Sequence, residues 1–317
     1  MSRAPRNTIL VGDALDHLRR LPSETADCVI TSPPYYLLRD YGVPGQLGTE
    51  PHVDGWVESL AAALHELARV LKPTGSIWLN LGDSYSTHTR YGAPPKGLLL
   101  APERLLLALA ADGWIVRNKV VWAKPNAAPS SVRDRLNATY EPLYFLVRQR
   151  RYHFDLDAVR APYRSGPQSR RARRPGPAAE AVGVLAQPRL GLLRSSGDRN
   201  PLGKNPGDVW TIPPKPYPGG HFATFPPALV ERPLLATCPR WACADCGLPW
   251  LGEQPSCRGH EGRIPGLVLD PFLGSGTVAV VAEHYGRDWL GIELNPVYAT
   301  LARDRLSGTQ TAQERAA

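Results

Sequence analysis

Along the first half of the chain, short apolar runs alternate with stretches whose apolar residues recur at helical spacing. Thr8–Val11 reads as a strand, Ala14–Leu21 as a short helix and Asp27–Thr31 as a second strand. From Val53 to Leu71 the residues Val57, Leu60, Leu64, Leu67, Val70 and Leu71 mark one helix face, and Lys72-Pro73 marks its end. "GSIWLNLGDSY" reads as a strand with a polar exit. Leu98–Ala111 reads as a helix, and Trp114–Trp122 and Tyr140–Val147 as strands. Strands alternating with helices predict an α/β domain with a largely parallel sheet.

The pattern fails from about Arg164 to Asn205. This stretch carries arginine at 164, 170, 171, 173, 174, 189, 194 and 199 and Lys204, against only Glu180 and Asp198. Rich in Pro, Gly and Arg, it is either a solvated linker or a basic arm that contacts phosphates. Order returns with "FPPALVERPLLA", a helix opened by prolines. After a cysteine-rich stretch, "GLVLDPFLGSGTVAVVAEHYGRDWLGIELNPVYATLARDRL" reads as one βαβ unit followed by a helix.

Two places interrupt these elements with residues that ordinary packing does not require. The strand ending at Thr31 runs into Ser32-Pro33-Pro34-Tyr35-Tyr36. Proline fixes φ and lacks an N–H, so the ladder must stop there. This segment is either a rigid surface turn or a stiff platform that holds carbonyls and a ring toward a flat ligand. In the βαβ unit, Asp270-Pro271-Phe272 leads into Gly274-Ser275-Gly276, and Thr277 starts the helix. Glycines allow close backbone approach, and a helix N-terminus offers unpaired N–H groups. Glu293 closes the next strand, where a carboxylate can accept from two ribose hydroxyls. The spacing departs from the G-x-G-x-x-G dinucleotide fingerprint, and an Asp at the lip suits a cationic ligand better than a pyrophosphate. S-adenosylmethionine is therefore favoured over a nicotinamide cofactor.

The chain has 317 residues, a formal charge of +8 and a hydrophobic content of 43%. The charge is compatible with a nucleic-acid partner. Only six of the 37 basic residues are lysine, however, so a GC-rich genome explains part of the excess arginine. No apolar run reaches bilayer-spanning length and no signal-peptide core opens the chain, so a cytoplasmic protein with no membrane partner is expected.

Taken together, "TSPPYY" and "DPFLGSGT" resemble the catalytic and cofactor motifs of the DNA amino-methyltransferases, in the permuted β-group order where the catalytic motif comes first. The similarity runs from about residue 8 to 306 and takes in "LVGD", "RVLKPTGSIWLNLGDSY", "VVWAKPNAAPSSVRDRLNATYEPLYFLVR" and "GKNPGDVWTIPP". It implies a Rossmann-like class I methyltransferase sheet, mostly parallel, acting on duplex DNA with S-adenosylmethionine. It assigns Ser32, Pro33, Pro34 and Tyr35 to the target base. To the cofactor it assigns Asp13, Thr31, Asp270, Pro271, Phe272, Gly274, Ser275, Gly276, Thr277, Glu293 and Asn295. Target recognition is expected between Tyr140 and Trp210, which favours DNA contact by Arg170, Arg171, Arg173 and Arg174.

Methylating an exocyclic amine requires the base to leave the stack. The Ser32 hydroxyl and Pro33 carbonyl can draw the amine hydrogens out of plane, while Tyr35 stacks on the base. Carbon-5 methylation of cytosine uses a thiol usually presented as Pro-Cys, and no such dipeptide occurs. In the family, Ser-Pro-Pro-Tyr goes mostly with the N4 amine of cytosine and Asp- or Asn-Pro-Pro-Tyr with the N6 amine of adenine. The expectation is N4-cytosine, with N6-adenine as the alternative. The other rivals are an RNA amino-methyltransferase and a catalytically silent DNA-binding module. A cognate restriction endonuclease, a bacterial or phage origin, and a monomer or homodimer fit the resemblance.

"CPRWACADCGLPWLGEQPSCRGH" holds Cys243-x2-Cys246 and, ten residues on, Cys257-x2-His260. Two such pairs match a structural zinc knuckle, with Cys238 as an alternative ligand, against a reading as plain reduced cysteines. Cys28, Trp56, Trp78, Trp114 and Trp289 read as packing. Asp83 either lines the cofactor pocket or caps the next turn. The expected organisation is a catalytic half at 1–163, a basic recognition segment at 164–205 and a lead-in at 206–236. A zinc knuckle at 237–263, a cofactor-binding half at 264–308 and a tail at 309–317 complete it.

Overall fold

The computed structural model describes residues 4–163, 200–214 and 225–314. Two compact units result: Met1–Asp155 together with Gly207–Ala317, and Leu156–Pro206. The first unit therefore ends at 155, eight residues before the boundary expected from the sequence.

The first unit contains ten strands. They are β1 (Thr8–Val11), β2 (Ala26–Thr31), β3 (Leu71–Asn80), β4 (Ile115–Ala123), β5 (Tyr140–Val147), β6 (Val209–Thr211), β7 (Trp241–Cys243), β8 (Arg263–Pro265), β9 (Leu267–Asp270) and β10 (Asp288–Glu293). Eight of them form one sheet in the order β1-β10-β9-β2-β3-β5-β4-β6, and β7 and β8 pair separately. In the large sheet only β5 runs against the rest, pairing antiparallel with β3 and β4. The N-terminal β1 pairs with β10, which is near the end of the chain, as the permuted order requires.

Helices cover both faces. On one face, α1 (Ala14–Arg20), α2 (Val53–Val70) and α3 (Ala101–Ala111) bury Leu18, Trp56, Leu60, Leu64, Leu67, Leu105 and Leu109 against Val29, Ile77 and Leu79. On the other, α4 (Pro227–Thr237), α5 (Thr277–His284) and α6 (Pro296–Glu314) close over Cys28, Ile30, Trp78 and Val268. Because both faces are covered, β2 has no polar side: all six of its residues are buried. At roughly 1.5–3 kcal/mol per fully buried large apolar side chain, the two layers hold the central strands firmly. Among the described residues no helix is long and apolar enough to cross a membrane.

Two boundaries differ from the pattern reading. β3 starts at Leu71, directly after α2, and so includes Lys72-Pro73. Pro73 is tolerated at the beginning of a strand, where the β2–β3 register shifts between Ala26 and Cys28. Lys72 is buried there because its ammonium meets Asp27 at 2.7 Å. The second difference is at α3, which starts at Ala101 and not Leu98. The Asp83 carboxylate accepts from the N–H groups of Leu100 (3.0 Å) and Ala101 (3.2 Å) and sets that start. Asp83 is thus a cap.

The second unit contains a 3-10 turn at Asp157–Val159 and a two-way backbone bridge between Ala161 and Lys204. Arg170, Arg171, Arg173 and Arg174 lie outside the described residues.

Candidate active site

The strand end at Thr31 sits in the middle of the sheet, and the prolines after it are pinned from several sides. The Trp56 indole donates to the Pro34 carbonyl at 3.0 Å. Buried Tyr36 donates its hydroxyl to the Glu50 carbonyl, and its own carbonyl accepts from Ser84 Oγ at 2.6 Å. The Tyr35 ring lies against Gly82, where a Cβ would come within 2.6 Å of it. Only a glycine at the β3 exit leaves room for that ring.

The Tyr35 hydroxyl is the centre of a polar network. Ser32 Oγ donates to it at 3.2 Å. Its proton faces two acceptors, Glu141 Oε2 at 2.9 Å and Asn80 Oδ1 at 3.1 Å. Glu141 is in turn paired with the Lys124 ammonium. Burial, and then the Glu141 charge, push the Tyr35 phenol well above its ordinary range. It stays a neutral donor throughout the physiological range.

β9 ends beside β2 at Asp270, and the chain turns through Pro271–Gly276 into α5. Gly274 and Gly276 take φ of +53° and +78°, and Gly276 packs within 3.1 Å of Ala302. Glu293 holds the turn from the end of β10: Oε2 accepts from Gly274 N at 2.7 Å and Oε1 from Asn295 N at 2.8 Å. Each carboxylate oxygen keeps acceptor capacity beyond those bonds. Arg305 steadies the other side by donating to Ser275 Oγ and Thr277 Oγ1.

A cavity of about 320 Å³ opens between these two strand ends. Asp13, Ser32, Pro34, Pro271, Phe272, Gly274, Ser275, Thr277, Glu293 and Asn295 all line it. Asp13 doubles as the N-cap of α1, and Asn295 Oδ1 accepts from Val297 N at the start of α6. Thr31, Pro33, Tyr35, Asp270 and Gly276 are not among the lining residues. Asp270 is 1% exposed and lies beneath the wall, where Oδ1 accepts from Thr31 Oγ1 at 2.7 Å and Phe272 N at 3.1 Å. Burial pushes its carboxyl up to about 7, opposed by those two bonds and reinforced by Glu293. Burial also raises Glu293, opposed by the amides of Asn295, Gly274 and Leu294.

Several site residues carried no periodic or motif signal. Tyr41 and Tyr298 line the cavity and meet edge to face with ring centroids 6.4 Å apart, although they are remote in sequence. Asn80, Lys124 and Glu141 come from three different strands or strand exits. Glu141 follows Tyr140 in a run read only as a strand, and no spacing links it to Tyr35.

A wall with two carboxylates, Asp13 and Glu293, and a third beneath it repels phosphate and favours a positively charged ligand that carries hydroxyls. The aromatic side chains Tyr41, Phe272 and Tyr298 provide flat apolar surface for a ring.

A family model described as DNA methylase, covering N6 and N4 amino-methyltransferases, matches residues 26–304. The chain belongs to this family. The Type II methyltransferase M.XycI of Xanthomonas campestris pv. cyanopsidis is 37% identical over 324 residues, covering 95% of this chain and 88% of its own. The structure of the PvuII DNA methyltransferase (cytosine-N4-specific) superposes with a TM-score of 0.61 at 20% identity, over 95% of this chain and 86% of its own. TTHA0409 of Thermus thermophilus, a DNA modification methylase solved with S-adenosyl-L-methionine, gives 0.55 at 21% identity, over 95% and 93%. At such identities the two structures show the shared fold. The sheet of this DNA methylase is the class I methyltransferase sheet expected from its sequence.

Proposed function

We propose that this DNA methylase methylates the N4 amine of cytosine in a specific duplex site, with S-adenosylmethionine as the donor. The observation that carries the choice of base is the Ser32–Tyr35 pair. The short Ser32 hydroxyl lines the cavity and lies 3.2 Å from the Tyr35 hydroxyl, where an adenine-type enzyme places a longer Asp or Asn. The cytosine-N4-specific activity of the PvuII enzyme, which shares the fold, supports the same reading.

Bound S-adenosylmethionine supplies a methyl group on a cationic sulfur. Glu293 accepts hydrogen bonds from its ribose, and Asp13 contacts the adenine end. Asp270 supports its positive charge from beneath the Gly274–Gly276 turn. The target cytosine leaves the helix and stacks on Tyr35, whose ring cannot retreat because Gly82 backs it. Ser32 Oγ and the Pro33 carbonyl accept the two amine hydrogens. This draws the nitrogen out of conjugation and leaves its lone pair facing the methyl group. Trp56 holds the Pro34 carbonyl, which fixes the platform and keeps the acceptors at a constant distance. Arg170, Arg171, Arg173 and Arg174 are proposed to contact DNA phosphates. The Type II relative M.XycI makes a partner endonuclease of the same specificity part of this proposal.

Incubating the protein with methyl-labelled S-adenosylmethionine and unmethylated duplex DNA, then digesting to nucleosides, tests both parts. Label in N4-methyldeoxycytidine is expected. Label confined to N6-methyldeoxyadenosine would keep the methyltransferase and overturn the choice of base.

A further inference from the structure

We infer that Cys243, Cys246, Cys257 and His260 hold a structural zinc ion that fixes the entry of the chain into β9. The ligand atoms of these four residues all lie within 4.8 Å of one another. Around a tetrahedral zinc with bonds of roughly 2.0–2.3 Å, such atoms stand close to 3.5–3.8 Å apart. Cys243 Sγ and His260 Nδ1 are already 3.5 Å apart. Cys238, the rival ligand, is fully buried at the end of α4 and is not part of the cluster.

The backbone around the cluster is shaped for a metal. After Cys246 the chain turns back through Gly247 at φ +71°, whose N–H bonds the Cys243 carbonyl at 3.0 Å. The Cys246 N–H points at Cys243 Sγ at 3.5 Å, a contact that favours a thiolate there. In the second pair, Gly259 takes φ +81° between Cys257 and His260. Each C-x2 pair thus sits on a tight turn that brings both of its ligands to one side.

The segment also lacks another means of staying folded. From Ala244 to Arg263 only Pro249 is buried. The short hairpin of β7 and β8 has three residue pairs, with Arg263 over the Trp241 ring at 4.5 Å. An excursion with so little core needs a staple. An odd set of three cysteines cannot pair fully into disulfides, whereas three thiolates and one imidazole complete a zinc shell. On binding, each cysteine gives up its proton to solvent, and the loaded site carries one net negative charge.

The staple is tied to the sheet. Gly247 lies over the Lys72 side chain, whose Cε a Cβ would approach to 3.4 Å. Lys72 is bound to Asp27 Oδ1 at 2.7 Å, and Asp27 Oδ2 accepts from Leu267 N at 2.9 Å, the first residue of β9. Only Gly266 separates β8 from β9. The metal would therefore act at the end of β9 away from Asp270, as a positioning element rather than a reactant.

Protein purified without chelators should contain close to one zinc per chain by elemental analysis. Replacing it with Co(II) should produce the sulfur-to-cobalt charge-transfer and intense visible bands of a tetrahedral thiolate site. C246S and C257S should lose the metal and melt at lower temperature, while C238S should retain full stoichiometry. Wild-type protein that has no zinc and gives no cobalt spectrum would overturn the inference. So would an intact mass showing a disulfide among Cys243, Cys246 and Cys257, or full zinc retained by both C246S and C257S.

Discussion

The hydroxyl of Thr31 donates to the Asp270 carboxylate at 2.7 Å, although 239 residues separate them. One bond thus joins the strand that delivers the catalytic motif to the strand that delivers the cofactor turn. Thr31→Val keeps the shape and removes the donor. A buried acceptor that loses a partner costs about 1–3 kcal/mol. Urea unfolding of this variant should show a loss in that range, and calorimetry should show weaker S-adenosylmethionine binding. Unchanged stability together with unchanged affinity would mean that the bond does not couple the two motifs.

Asp270 also predicts a pH dependence with opposite signs for folding and binding. Its carboxyl is pushed up to about 7 by burial, from an ordinary value of 3.8. The folded protein therefore holds a proton that the unfolded chain releases. This contribution to stability is fully present below pH 4 and is lost as pH rises through about 7. A cationic ligand favours the ionised form, so S-adenosylmethionine should bind more weakly as pH falls below about 7, approaching tenfold per unit. Calorimetry in two buffers of different ionisation enthalpy should detect a proton released on binding at pH 6 and none at pH 8.5. D270N should abolish that release. A wild-type affinity that stays level from pH 6 to 8 would separate Asp270 from the cofactor.

Tyr35 combines a ring and a hydroxyl, and two substitutions separate them. Tyr35→Phe keeps the stacking surface but cuts the links to Ser32, Asn80 and Glu141. One neutral bond is worth about 0.5–1.5 kcal/mol, so kcat/KM should fall roughly three- to tenfold. Tyr35→Ala also removes base stacking, worth about 1–3 kcal/mol, and should cost appreciably more. Equal losses in the two variants, measured by steady-state methylation of duplex DNA, would rule out stacking.

Gly82→Ala tests the same ring from behind. The added methyl would lie 2.6 Å from the Tyr35 ring, so the ring must move. Methyl transfer should drop at least tenfold, since a displacement of about 1 Å at a reacting centre can cost a hundredfold. Cofactor affinity should be unchanged, because the cavity is lined by other residues. A parallel loss of cofactor binding would show that the strain spreads beyond Tyr35.

Ser32→Ala removes one of the two acceptors proposed for the amine. The expected signature is a lower kcat, by about 10²-fold as for other single polar groups acting at the transition state, with little change in KM. A rise in KM alone would place Ser32 in base binding only.

The sequence by itself determined the local features of this protein. Short apolar runs and helical spacings located its strands and helices, prolines ended β2, and glycines marked the cofactor turn, because backbone preferences act over a few residues. Even the zinc-ligand spacing was local enough to read, and Cys238 became distinguishable from the other cysteines only through its burial at the end of α4. Tertiary structure alone decided what depends on which strands are neighbours. It placed Asp270 beneath the cavity and not on its wall, and turned Asp83 into the cap of α3. It brought Glu141, Asn80 and Lys124 to the Tyr35 hydroxyl from separate strands, and set Tyr298 against Tyr41. No periodicity encodes such pairs, since sheet order, and not distance along the chain, determines which side chains share a buried site and how far burial shifts their charge.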